Sequence, residues 1–168
     1  MPEKQTLERA QRDRREGKAP STQAGEFIRE QIDHIRQGKH GARSAKQAIA
    51  IGLSEARRAG VDLPPPAKGR TSEKTRKSAA RAYALGHGAA PRRAATVKRA
   101  RASEAALKRE GRSAASHRAL AAQARRAAAG RTASERSAAA MRAVKTKGAA
   151  QRSAAARKGA RTREMHAH

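Results

Sequence analysis

Large apolar residues crowd into one short stretch of this chain, and their spacing there is helical. Ala24, Ile28, Ile32 and Ile35 recur at intervals of four, four and three residues, with Phe27 flanking the stripe. Ser21 or Thr22, just after Pro20, is expected to cap this helix, and Gly38 to end it. A second stripe follows, in which Ala45, Ile49, Gly52, Leu53 and Ala56 share a face. Ser44 stands three residues before Gln47, as in an S-x-x-Q capping box, and Gly60 supplies the stop. The two stripes predict a helical hairpin over residues 21–63. Upstream, Thr6 could cap a short charged helix running to Gly17. Its one large apolar residue is Leu7, so residues 1–20 read as a charged arm that nothing obliges to dock.

The pattern stops at Pro64, Pro65 and Pro66. Residues 1–66 hold 13 basic and 9 acidic residues, whereas residues 67–168 hold 27 basic and 5 acidic residues, with 34 Ala among 102 positions. Gly69, Gly86, Gly88, Gly111, Gly130, Gly148 and Gly159 divide this second part into Ala- and Arg-rich pieces of high intrinsic helix propensity. Helix starts are signalled by Pro91, by Ser103 followed by Glu104, and by the T-x-x-E box of Thr132 and Glu135. Turning about 100° per residue from Arg92, the basic residues Arg93, Lys98, Arg99, Arg101, Lys108 and Arg109 surround the axis and leave no apolar stripe. A theme recurs as Lys77-Ser-Ala-Ala, Arg112-Ser-Ala-Ala, Arg136-Ser-Ala-Ala and Arg152-Ser-Ala-Ala, at irregular spacing, which marks low complexity and not a solenoid. The fold class expected is mostly α. It comprises the small N-terminal hairpin, a Pro-rich hinge at 64–70, and an Ala/Arg-rich tail over 71–168 that is disordered or partly helical when free.

Composition narrows the function. Of 168 residues, 40 are Lys or Arg and 14 Asp or Glu, a formal charge of +26. Leu, Ile, Val and Phe number only 15, too few for the core of a large globular enzyme. The hairpin by itself is marginal, so dimerisation through it is an expectation. Cysteine is absent, which excludes disulfides and thiolate chemistry. The six histidines show no H-x-x-x-H spacing, and the acidic residues are mostly isolated among cations. The polar face formed by Glu26, Glu30 and Asp33 reads as solvated. Neither an enzyme, a metal site nor a cofactor is expected, and no stretch is apolar enough to span a bilayer. The expected compartment is the cytoplasm, at the nucleoid of a bacterium.

Such a charge calls for a polyanion. Single-strand binding and most sequence-specific RNA recognition use aromatic stacking, and only Phe27 and Tyr83 are present, so duplex DNA bound through its phosphates is the expected partner. The candidate phosphate contacts are Arg92, Arg93, Lys98, Arg99, Arg101, Arg125, Arg126, Arg131 and Arg136. A second candidate is the loop Gly38-Lys39-His40-Gly41-Ala42-Arg43-Ser44, in which Lys39, Arg43 and Lys46 would converge on an anion at a helix N-terminus. The function expected is histone-like, largely sequence-independent DNA binding and compaction. The alternatives are a structured-RNA or ribosome-associated binding protein, and a protein-interaction adaptor with a basic tail.

Residues 45–66, AKQAIAIGLSEARRAGVDLPPP, resemble a box of small basic bacterial proteins of unknown function, in which a KQAIAI-type segment precedes an LSEA-like stretch. The resemblance implies an uncharacterised or DNA-binding protein with no catalytic residues in the box. By composition alone, the tail resembles those of histone H1 and bacterial H1-like nucleoid proteins, except that it favours Arg over Lys.

Overall fold

The computed structural model describes residues 2–89, 97–146 and 148–165. Among these there are eight α-helices and no strand: α1 (Lys4–Arg15), α2 (Pro20–Arg36), α3 (Ala45–Arg58), α4 (Glu73–Gly86), α5 (Val97–Arg109), α6 (His117–Ala129), α7 (Ala133–Thr146) and α8 (Ala149–Met165), with a 3-10 turn at Ser113–Ala115. The tail is thus helical in the free chain, where the sequence predicted a disordered or partly helical one. Its Ala and Arg content favours helix without any partner. The chain forms two compact units, residues 1–123 and 124–168; α6 begins in the first and ends in the second.

In the first unit, α2 packs on α3 as the two stripes predict. Phe27, Ala24 and Ile35 of α2 are fully buried, as are Ala48 and Ala56 of α3, while Ile28, Ile49 and Leu53 are half-buried at the margins. The helices meet through small residues: a Cβ on Gly52 would lie 2.7 Å from Ile28 Cα and 2.9 Å from Ile28 N. Helix starts differ from expectation in two places. Pro20 occupies the first turn of α2 after Ala19, where its missing N–H costs nothing, so neither Ser21 nor Thr22 caps it. Glu3, not Thr6, precedes α1. Gly38 and Gly60 end α2 and α3 with positive φ of 77° and 87°, a geometry that other residues adopt only with strain.

The N-terminal arm docks. Thr6 is completely buried, Ala10 is 5% exposed, and Leu7 packs with Ala24, Phe27, Ala56, Val61, Leu53 and Leu63 in one core cluster. Polar contacts supply what a single leucine could not. Arg9 Nε lies 2.9 Å from Glu26 Oε2, and Lys18 Nζ donates to the buried Asp13 at 2.7 Å. Glu3 accepts from Lys39 Nζ at 3.0 Å, and its Oε1 lies 2.9 Å from His34 Nε2. The bonds from His34 and then Lys39 hold the Glu3 carboxyl below its ordinary 4.5, so this tether is complete above that pH and weakens as pH falls through the lowered value. The Glu26–Glu30–Asp33 face is therefore not simply solvated. Glu30 is 4% exposed beneath Glu3.

Packing continues past the triple proline. The buried Arg57 donates from Nε to the Leu63 carbonyl at 2.9 Å, and Tyr83 on α4 donates to Asp62 at 2.7 Å. Gly86 presses against the Arg57 carbonyl so closely that no side chain fits there. Farther along, Ala114 and Ala115 are buried with Ile35, Ala42 and Ala48 in a second core cluster. Arg36 Nε donates to the Ala115 carbonyl at 3.1 Å. Two copies of the recurring theme thus fill sites in the first unit through Ala79, Ala114 and Ala115. The copies at Arg136 and Arg152, in the second unit, leave Ala138, Ala154 and Ala155 exposed.

Two measurements check this packing. Gly52→Ala should destabilise by about 1 to 3 kcal/mol through collision with the α2 backbone, whereas Gly25→Ala, with nothing within 4 Å of its added Cβ, should stabilise by roughly 0.5 to 1 kcal/mol in urea unfolding. Equal signs for the two would contradict the close approach. Burial, then the charge of Glu30, pushes the Glu55 carboxyl above its ordinary 4.5. The folded state therefore holds the Glu55 proton more tightly than the unfolded state does. Ionised Glu55 subtracts stability at neutral pH, and that loss is recovered as pH falls through the raised value. Glu55→Gln can still accept from Gln31 Nε2 and should melt at the same or higher temperature at pH 7, the difference shrinking on acidification. A lower melting temperature at pH 7 would show that the Glu55 charge is instead favourable.

Candidate nucleic-acid interface

Between α2 and α3 the chain must turn and start a new helix, and it does so with its polar groups already engaged. Ser44 Oγ accepts the Gln47 N–H at 3.2 Å, and Gln47 Oε1 accepts the Arg43 N–H at 2.9 Å, so the S-x-x-Q signal is realised as a cap. His40 bonds Gln31 and the Gly41 carbonyl. The Gly41 N–H donates to the Leu107 carbonyl at 2.9 Å, and the Ala42 N–H to the Gly111 carbonyl at 3.2 Å. Gly41 is pressed against the carbonyl of Glu110, which leaves no room for a Cβ.

These bonds engage part of the loop in which an anion cradle was expected. Of the three side chains named there, Lys39 donates to Glu3, while Arg43 and Lys46 are exposed. The glycine-rich loop is a seat for residues 107–115, and its Gly41 and Ala42 amides meet carbonyl groups of the same chain. Sequence spacing alone could not show this, because the partner lies some seventy residues away along the chain. What the docking creates instead is a shallow recess of ≈ 430 Å³ bordered by Gly38, His40, Gly41, Lys108, Glu110, Gly111 and Arg112. Lys108 on its rim is paired with Glu104 at 2.7 Å, a contact that holds the Glu104 carboxyl below its ordinary range.

The remaining candidate cations are spread over helical surfaces. Lys98 and Arg101 are exposed on α5 in the first unit. Arg99 also lies on α5, with its side chain outside the described residues, as are Arg92, Arg93 and the Pro91 start signal. Ser103 and Glu104 lie inside α5, which begins six residues before Ser103, so they mark no helix start. In the second unit, Arg125 and Arg126 are exposed near the end of α6, and Arg131 and Arg136 flank the start of α7. Arg136 Nη1 donates to the Arg131 carbonyl at 2.6 Å, which holds these two together. The T-x-x-E box forms as expected. Glu135 N–H donates to Thr132 Oγ1 at 3.2 Å, and Thr132 N–H to Glu135 Oε2 at 2.9 Å.

Beyond these, α8 carries Arg152, Arg157, Lys158, Arg161 and Arg163. At about 100° per residue they stand near 0°, 140°, 240°, 180° and 20°, on all sides of the axis. None of its 17 residues is buried. Both aromatic residues are occupied: Phe27 is fully buried, and Tyr83 is bonded to Asp62 and stacked on His87 with ring centroids 4.0 Å apart. Among the described residues, no helix is long and apolar enough to cross a membrane.

No curated protein and no solved structure matches this chain. Residues 3–68, which run from the start of the docked arm through the triple proline and include the KQAIAI segment, match the family of unknown function DUF6496.

Proposed function

We propose that this is a histone-like, largely sequence-independent duplex-DNA-binding protein whose second unit neutralises backbone phosphate. One observation carries the reading. Residues 124–168 hold 12 Lys and Arg against 2 Glu, and α8 displays its cations around an axis with no buried residue. A helix with no apolar face gains little from docking on protein, and its like charges repel one another. Phosphates on a duplex would relieve that repulsion and release condensed counterions, without reading bases. The engagement of Phe27 and Tyr83 within the first unit leaves no aromatic platform for stacking unpaired bases, which favours a duplex over a single strand.

The test is a salt titration of binding to a random-sequence duplex, with a folded RNA as competitor. The full chain is compared with the variant Arg125→Gln, Arg126→Gln, Arg131→Gln and Arg136→Gln, because Gln keeps nearly the helix propensity of Arg. Each phosphate that an arginine no longer neutralises lowers the slope of log K against log salt by about 0.9, so the variant should fall by up to roughly 3.6 in slope and bind more weakly at low salt. An unchanged slope and affinity would reject these four arginines as phosphate contacts. A strong preference for the folded RNA would replace the duplex as the partner.

A further inference from the structure

Docking of α1 brings Glu3 beside two side chains of α2, and we propose that Glu3, Glu30 and His34 bind a divalent first-row metal ion of the Zn²⁺ type, stapling the start of α1 to α2. One ligand atom from each lies within 4.8 Å of the other two. Glu3 Oε1 is 2.9 Å from His34 Nε2, which is 3.8 Å from Glu30 Oε1. An ion about 2.0 to 2.2 Å from each of its ligands needs them some 3 to 3.6 Å apart, so the separations require only a small adjustment. Two carboxylates and one imidazole form the mixed oxygen and nitrogen set that such ions accept, and it leaves a position open for water.

A second observation points to a ligand here. The Glu30 side chain is 3% exposed, and while its Oε1 accepts the Glu3 N–H at 2.9 Å, its Oε2 has no hydrogen-bond partner among the described residues. A buried carboxylate oxygen without a donor is costly. Neither Lys39 nor His34 relieves it. Lys39 Nζ stops at Glu3, 3.0 Å from Oε1, and His34 Nε2 approaches Glu30 through Oε1. Lys39 is half exposed and on a long side chain, so it can swing into solvent when an ion takes its place beside Glu3. The spacing of Glu30 and His34, one helical turn apart, is visible in the sequence, but Glu3 lies 27 residues before Glu30 and joins them only because α1 docks.

The test uses the full chain in which His166→Gln and His168→Gln remove the terminal histidines, stripped with a chelator and titrated with Zn²⁺ by calorimetry, with melting followed by circular dichroism. One site should appear, and Zn²⁺ at a hundredfold excess over its Kd should raise the melting temperature by on the order of 5 to 10 °C. Glu30→Gln and His34→Gln should each weaken that site at least about a hundredfold, with helix content retained. Lys39→Met should tighten it by about tenfold, because it removes the competing cation. No saturable site, or equal binding by the parent and both ligand variants, overturns the proposal. Should either ligand variant fail to fold, Lys39→Met still decides: unchanged or weaker affinity there also overturns it.

Discussion

Large apolar side chains are too few in this chain to hold its helices apart, so the backbones themselves make contact. Gly52 meets the backbone of Ile28, Gly86 the carbonyl of Arg57, and Gly41 the carbonyl of Glu110, and at each an added Cβ would collide with main-chain atoms. Around these contacts the buried surface is mostly alanine, with Phe27 and Ile35 as the large fully buried apolar side chains. Close approach gains dispersion contacts and excludes water at little cost in side-chain entropy, which suits a sequence this poor in leucine and isoleucine. The compact first unit depends on it from α2 to Glu110.

Much of this was legible in the sequence, and the rest failed for identifiable reasons. The stripes through Ala24, Ile35, Ala45 and Ala56 located α2 and α3, and the capping signals at Ser44 and Thr132 were realised in hydrogen bonds. On α3 the stripe named Ile49, which is half-buried, and omitted Ala48, which is fully buried, because small size is what the contact selects. The docked arm was missed because its anchors are polar: Thr6, Asp13 and Glu3 hold α1 through burial and ion pairs that no hydrophobic period reveals. Residues 107–115 were missed for a related reason. Ala114 and Ala115 look like any other part of the Ala-rich tail until a seat for them exists around Gly41. In the loop before α3, the Gly41 and Ala42 amides are taken by carbonyl groups of the same chain, a use of loop donors that residue spacing does not reveal.

Charge is distributed in step with this packing. In the first unit acidic residues sit where helices meet, as Glu3, Asp13 and Glu26 do between α1 and its neighbours, and they bind cations that would otherwise repel. In the second unit carboxylates are scarce and α8 has no buried residue, so Arg157, Lys158, Arg161 and Arg163 have no comparable structural employment. The same chain thus separates residues that hold the fold from residues left available to a polyanion. That separation is the basis of the proposed DNA binding.

Arginine-selective chemical modification of the full chain, read residue by residue with and without saturating duplex DNA, tests that division most directly. DNA should protect Arg125, Arg126, Arg157, Arg161 and Arg163 together, and leave the reactivity of Arg9, paired with Glu26, and of the buried Arg57 unchanged. Protection confined to residues 1–123, or none at all on α8, would contradict the account.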